Sequence, residues 1–396
     1  MFQQLLKHVK ILKKFLTYIS LNDNISANVE TIKNSEIMLK PFEIIDKLIN
    51  SAIKTFESTG IVKVTSTEFE GSRLLNQDIR ADLVIHVQTA EEKKYLIIFE
   101  VNSNGQPRFA RAAAYQLKSI LTKIENAYGV FGAPFISEES RKICQEAGIG
   151  YLDLGGNCLL KFNNVYISVE GKPNPYPSTR PLKSIFATRS TRALRVLLCN
   201  PKRDWFVKDL AKEANISLGQ ASNLKKRLLE FEFIKETGNK RAAKFRLSNP
   251  EVLLDRWAEY YSYRRNRARN YYSIDDVKSI EKNLSDYCET KNIPYAFTLT
   301  SGASLVAPFL RYKRVFIYLP NSMEKVALAL GWKEVPSGPN ITLLEPYDEG
   351  IFYGLQEING MKVVSDVQLY LDLKGYKERG EEAAQFLLEN RLRKQW

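Results

Sequence analysis

The spacing of apolar residues changes period several times between positions 188 and 247, and each change marks an element. Leu194, Leu197 and Leu198 recur at helical spacing and predict a first helix over Thr188–Cys199. Trp205-Phe206-Val207 is short, apolar and β-prone. Leu210, Ala211 and Ala214 predict a second helix that stops at the turn Asn215-Ile216. Ser217, followed three residues on by Gln220, is a capping-box pattern opening a third helix with Ala221, Leu224 and Leu228 on its inward side. Phe233-Ile234-Lys235 and Lys244-Phe245-Arg246-Leu247 read as two strands around the turn Thr237-Gly238-Asn239-Lys240. This order is that of a winged helix-turn-helix, with the last turn as its wing.

Both flanks read as α/β. Upstream, "DIRADLVIHV" and "KKYLIIFEVNSNGQPR" are strand patterns, and "FARAAAYQLKSILTKI" is helical. "AGIGYLDLGGNCLLKFNNVYISVEG" adds further strands, with Asp153 before a Gly155-Gly156-Asn157 hairpin turn, a structural feature. The amphipathic, basic N-terminus "MFQQLLKHVKILKKFL" reads as a first helix and lacks a small-residue cleavage site. Downstream, "VLLDRWAEYYSYRRNRARNYYS" is expected to be one basic, aromatic helix. Its Arg264, Arg265, Arg267 and Arg269 either meet phosphates or simply join two domains. "YAFTLTSGASLVAPFLRYKRVFIYLP" follows as strand, Ser301-Gly302 turn, helix and strand. Such a turn resembles the phosphate cradle of nucleotidyltransferases, but Ala303, Ser304 and Leu305 follow it where acidic metal ligands are required. A non-catalytic α/β domain is therefore expected. Asp366 and Asp372, at helical spacing, read as a helix start or a solvated face. A Pro-rich stretch near residues 172–181 separates the parts. The expected division is an N-terminal α/β domain over 1–172, the winged helix over 182–250, a connecting helix over 251–272 and a C-terminal α/β domain over 273–396.

Charge sharpens the middle part. Residues 178–272 hold 22 Lys and Arg against 9 Asp and Glu, and the whole chain holds 58 against 45, so the entire surplus of +13 falls in that stretch. A cation excess on one element suits a polyanion, because binding releases counterions from the phosphates. Double-stranded DNA is the expected partner. Gln220 and Asn223 are the candidate base readers, since amides pair with adenine in the major groove. Ser217 and Ser222 support them. Lys225, Lys226 and Arg227 are placed for phosphates, and Lys240, Arg241 and Lys244 for the wing's contact with an adjacent backbone or minor groove.

Other chemistry is thin. Cys144, Cys158, Cys199 and Cys288 show no paired spacing, which argues against zinc and a disulfide framework and suits a reducing cytoplasm. With only His8 and His86, His-based triads are nearly excluded. No apolar run reaches membrane-spanning length. The one catalytic-looking constellation is Asp82 on one strand and Glu100-Val101-Asn102 on the next, with Gln116 in the following helix. This layout resembles the PD-(D/E)xK nucleases, of restriction-endonuclease-like fold, where two carboxylates hold Mg or Mn and a Lys serves the attacking water. Asn102 stands in the Lys position, and a neutral amide supplies no positive charge there. Lys93, Lys94 or Arg108 are the possible substitutes. Arg108 and Arg111 either bind phosphate or pair with local carboxylates. The chain is expected to be no enzyme and to need no cofactor, with a metal-dependent nuclease as the alternative.

The C-terminal third resembles the AbiEi-type antitoxins of type IV toxin–antitoxin systems. The residues that carry it are Gly338-Pro339-Asn340-Ile341, the run Val364-Ser365-Asp366-Val367-Gln368-Leu369-Tyr370-Leu371-Asp372-Leu373, and Arg379-Gly380-Glu381-Glu382-Ala383-Ala384. The resemblance implies a prokaryotic transcriptional regulator, with a nucleotidyltransferase-like toxin as a possible cognate partner. A first domain larger than in short antitoxins departs from that pattern. Helix-turn-helix regulators commonly act as two-fold dimers, so a homodimer is expected, assembled through an α/β domain.

Overall fold

The computed structural model describes residues 41–69, 81–176, 185–238, 243–307 and 312–396. The expected N-terminal helix at 1–16, the second half of the Pro-rich linker at 177–181 and the expected wing tip with Lys240 and Arg241 lie outside them.

The first part is a seven-stranded sheet in sequential order. Its strands are β1 (Val62–Phe69), β2 (Leu83–Thr89), β3 (Lys94–Val101), β4 (Ala127–Ala133), β5 (Gly150–Asp153), β6 (Cys158–Phe162) and β7 (Val165–Val169). The centre, β3-β4-β5, is parallel, and both sides are antiparallel. Parallel neighbours need crossovers, and helices α2 (Pro107–Leu121) and α3 (Glu138–Ala147) supply them. The side-chain alternation of the strands feeds two cores. Ile97 and Phe99 pack under α1 (Pro41–Glu57), against Ile44, Leu48, Ala52 and Phe56. Ile98 faces the other way, toward Ala110, Ala113, Ala114 and Leu117 of α2. The hairpin at Asp153 forms as expected, and Asp153 is structural. Its buried carboxylate accepts the backbone N–H of Ile136 and both the backbone and side-chain N–H of Asn157.

The middle part supplies three helices and a ribbon in the expected order. They are α4 (Thr188–Cys199), α5 (Val207–Glu213), α6 (Leu218–Glu230), β8 (Ile234–Thr237) and β9 (Lys244–Leu247). Trp205 adds a single antiparallel bridge to Phe245 of β9. Leu194, Leu197, Leu198, Leu210, Leu224 and Leu228 are all buried.

The stretch after the ribbon corrects the expected long helix. Helix α7 ends early, spanning Pro250–Tyr260, and Arg267–Tyr272 forms strand β10. That strand is built into a second seven-stranded sheet. It pairs antiparallel with β13 (Lys333–Glu334) on one side and β14 (Ile341–Glu345) on the other. The sheet continues through β12 (Val315–Tyr318), β11 (Ala296–Phe297), β16 (Met361–Val363) and β15 (Gln356–Ile358). Arg267, Arg269 and Tyr271 share one face of β10. The two arginines meet salt-bridge partners Glu345, Glu324 and Glu334, and Tyr271 is buried. These arginines are therefore committed to the sheet. Helices α8 (Val277–Thr290) and α10 (Met323–Ala329) cover one face.

A second correction concerns the expected Ser301-Gly302 turn, which lies inside helix α9 (Leu299–Val306). Gly302 makes a close approach there, since a Cβ would sit 3.1 Å from the Phe297 carbonyl oxygen. A third concerns Asp366 and Asp372 of helix α11 (Asp366–Lys374), neither of which is solvated. Ser365 is the helix cap, and Asp366 is held by Arg391 at 3.0 Å. Asp372 is fully buried and accepts from Tyr261 (2.6 Å), Tyr318 (3.0 Å), Thr298 (2.5 Å) and Gln368 (2.9 Å). Burial pushes its carboxyl up to about 6, with the four donors pulling the other way.

The same network reaches the middle part. Arg195 of α4 is fully buried, donates to Gln368 Oε1 at 2.9 Å and stacks its guanidinium over Trp257 at 4.9 Å. Arg192 pairs with Asp348 at 2.8 Å, and Tyr353 links Asn200 to Glu213. One continuous core accordingly runs from Leu194 and Phe245 through Trp257 to Leu369, Ala384 and Leu392. Asp372→Ala strands four donors in an apolar interior, and each unsatisfied buried group costs about 1–3 kcal/mol. We expect Asp372→Ala to lower the urea midpoint of the full chain far more than Thr298→Val, which removes one donor. Equal midpoints for the two variants would contradict this account.

Candidate nucleic-acid interface

Helix α6 is opened by the capping box read from the sequence. Ser217 Oγ accepts the Gln220 N–H at 3.2 Å, and Gln220 Oε1 accepts the Ser217 N–H at 3.0 Å. The turn before it places Asn215 in the left-handed region, at φ 50°, where asparagine is tolerated. The box has a consequence for Gln220. A bidentate contact with adenine uses both the oxygen and the nitrogen of the amide, and here the oxygen is already engaged. Asn223, by contrast, is exposed one turn further along the same face, with Ser222 beside it.

The basic residues divide. Lys226 is exposed. Lys225 is only 15% exposed and is bound to Glu236 of β8 at 2.9 Å, with Phe245 beneath its ammonium. Arg227 is half-buried, with a contact of its own. Lys244 lies over the Phe206 ring at 5.1 Å. The sequence reading missed Leu218, which is 59% exposed at the first turn of α6. A bulky apolar group in that place has the chemistry to meet a thymine methyl. Its signal was visible, since an apolar residue beside a helix cap falls outside the Ala221-Leu224-Leu228 stripe.

The carboxylate pair of the first part is real as geometry. Leu83 pairs with Phe99 across β2 and β3, which brings Asp82 beside Glu100 at the next position. Asp82 Oδ2 accepts the Val101 N–H at 2.7 Å. Burial pushes the Glu100 carboxyl up to about 7, and the Asp82 charge and hydrogen bond push it the same way. The remaining members do not join them. Asn102 Oδ1 caps the loop by accepting the Asn104 N–H at 3.0 Å, and Asn104 repeats the turn toward Gln106. Gly105 lets this loop pass Phe135, whose carbonyl oxygen would lie 2.0 Å from a Cβ. Gln116 is exposed on α2. Lys94 pairs with Gln88 at the far end of the hairpin, and Lys93 binds Glu91 there, so neither replaces the absent lysine. Lys225, by hydrogen bond and charge, holds the Glu236 carboxyl below its usual range, and the Arg108 charge adds to this. Two carboxylates suffice for Mg only when substrate phosphates complete its shell. Among the described residues no group of three or more His, Cys, Asp or Glu is placed to hold a metal ion. No described helix is long and apolar enough to cross a membrane.

These features define a mixed α/β protein with a helical, basic unit set between two sheets. Residues 246–393 match the family model described as a transcriptional regulator, the AbiEi antitoxin of a type IV toxin–antitoxin system. No curated protein matches the chain. Among solved structures it is similar to a repair endonuclease from Pyrococcus abyssi, with 12% identity over 32% of this chain and 49% of that one, and a TM-score of 0.20. It is also similar to EndoMS in its apo form, with 11% identity over 27% of this chain and 45% of that one, and a TM-score of 0.19. The matches span about half the length of those chains.

The raised carboxyl of Glu100 makes a pH prediction. A carboxylic acid that keeps its proton to higher pH when folded costs stability as pH rises from the unfolded value of 4.5 to about 7, and the cost stays constant above. Glu100→Gln removes the charge. It should raise the thermal midpoint by a few degrees at pH above the window and leave it nearly unchanged below. An equal shift at both ends would contradict the assignment.

Proposed function

We propose that the chain is a sequence-specific DNA-binding transcriptional regulator, a repressor of antitoxin type, in which α4, α5, α6 and the β8–β9 ribbon act as a winged helix. The observation that carries this is the exposed face of α6. Leu218, Ser222, Asn223 and Lys226 present apolar, amide and cationic groups from a capped helix, within the stretch holding the whole charge surplus. A helix that enters the major groove uses its first turns on base edges and its cations on phosphates. Asn223 and Leu218 would then read bases, while Lys226 and the wing residues Lys240 and Arg241 would meet the backbone. Ser217 and Gln220 would set the helix start, with the Gln220 amide nitrogen left as a donor. The family match over 246–393 supports the regulatory role and a toxin as partner. A homodimer, joined through the C-terminal sheet, would supply the second half-site, because one winged helix offers little contact area for operator-level affinity. We read the domains as 1–172, 182–250, a connecting segment over 251–272 and 273–396, with β10 of the connecting segment already part of the second sheet.

The test uses a duplex selected from a random library by the full chain. Asn223→Ala and Leu218→Ala should each cost about 1–3 kcal/mol on that duplex and little on unselected DNA. Lys226→Ala should weaken both and lower the salt slope by about one unit. Lys225 is a poor probe, since its ammonium already has a partner. Affinities unchanged in all three variants would sink the reading.

The adjacency of Asp82 and Glu100 favours one alternative, a metal-dependent endonuclease directed by the winged helix. With Asn102 turned into its own loop, we expect no cleavage of plasmid with Mg or Mn. Cleavage that vanishes in both Asp82→Ala and Glu100→Ala would establish the alternative instead.

A further inference from the structure

We infer that the outer stripe of α2, in the first sheet's helical layer, is a second DNA-contacting surface that takes the backbone of the duplex flanking the site read by α6. The inference rests on the reading of α6 given above. Arg108, Arg111, Tyr115 and Lys118 are spaced by three, four and three residues, so they form one row along the helix. All are exposed, and Pro107, Ala110, Ala113, Ala114 and Leu117 form the buried side. The helix, PRFARAAAYQLKSIL, contains no acidic residue. Its own stability argues against this arrangement. Cations near a helix N-terminus oppose the macrodipole, and here the first turns carry Arg108 and Arg111 with no acid and no side-chain cap. Tyr115 is 81% exposed, the aromatic body of the row. Such a row is well suited to phosphates, which accept from Arg, Lys and Tyr.

The position of the row is fixed by an ion cluster. Arg111 grips Glu232, just past the end of α6, with Nε 3.0 Å from Oε1 and Nη2 3.0 Å from Oε2. Lys225 of α6 binds Glu236 of β8 at 2.9 Å, and the Arg108 charge also acts on that carboxylate. The start of α2, the second half of α6 and the wing strand therefore meet at one place. Glu139 and Glu146 also face Arg111, so its charge is spent within the protein. Arg111 is the clasp, and Arg108, Tyr115 and Lys118 are the contacts. From Arg108 to Lys118 the row runs about 15 Å, several base pairs of backbone.

The experiment measures binding of the full chain to the selected duplex, lengthened to about 40 base pairs, by anisotropy across a salt series with hydroxyl-radical footprinting. Arg108→Ala with Lys118→Ala should weaken binding about tenfold near 0.1 M salt, lower the salt slope by about two units, and shorten the footprint on one side. Both side chains are exposed, so the melting curve should not move, which separates lost contact from lost fold. If Asn223→Ala and Lys226→Ala weaken binding while the α2 pair changes nothing, the flanking surface is refuted and the reading of α6 survives. If neither set has an effect, both fall. Tighter binding by the α2 pair would mean that the helix shields α6, which also overturns the proposal.

Discussion

A single buried guanidinium ties the middle helices to the C-terminal third. Arg195 leaves α4, stacks on Trp257 and donates to Gln368, whose amide nitrogen passes the chain of hydrogen bonds to Tyr261 and Asp372. A buried cation is tolerable only where geometry and partners are fixed. Here the partners come from α7 and α11, so the orientation of α4 follows from theirs. α5 and α6 pack on α4 through Leu194, Leu210, Leu224 and Leu228, and inherit that orientation.

The run that carries the family resemblance in the C-terminal third thus has a structural meaning. Ser365 caps α11, Asp366 holds Arg391 and Gln395, Gln368 holds Arg195, and Asp372 collects the hydroxyls of Tyr261, Tyr318 and Thr298. None of these side chains is spent on the surface. The recurrent polar pattern builds an interior, and the surface is left to other residues.

Local signals in the sequence were legible, and long-range ones were not. The capping box at Ser217, the leucine stripes of α4 and α6, and the strand alternation around Glu100 each depend on neighbours within a few residues. The adjacency of Asp82 and Glu100 was also readable, because antiparallel pairing of two short strands fixes it. Strand β10 was hidden because its arginines look like the polar face of a helix until Glu324, Glu334 and Glu345 arrive from far along the chain. The burial of Asp372 was hidden for the same reason, since its donors lie 54 to 111 residues away, apart from Gln368. The clasp between Arg111 and Glu232 joins positions 121 residues apart. Neither residue alone distinguishes a clasp from a solvated charge.

The shared core also bears on inheritance. A helical unit with its own closed interior can be moved between genes and keep its shape. This one completes its interior with Trp257, Leu369, Ala384 and Leu392 from beyond the ribbon. Transplanted alone, it would expose that apolar surface to water. Exchange of the first sheet would leave this interior closed, whereas separation of the three middle helices from the C-terminal third would open it.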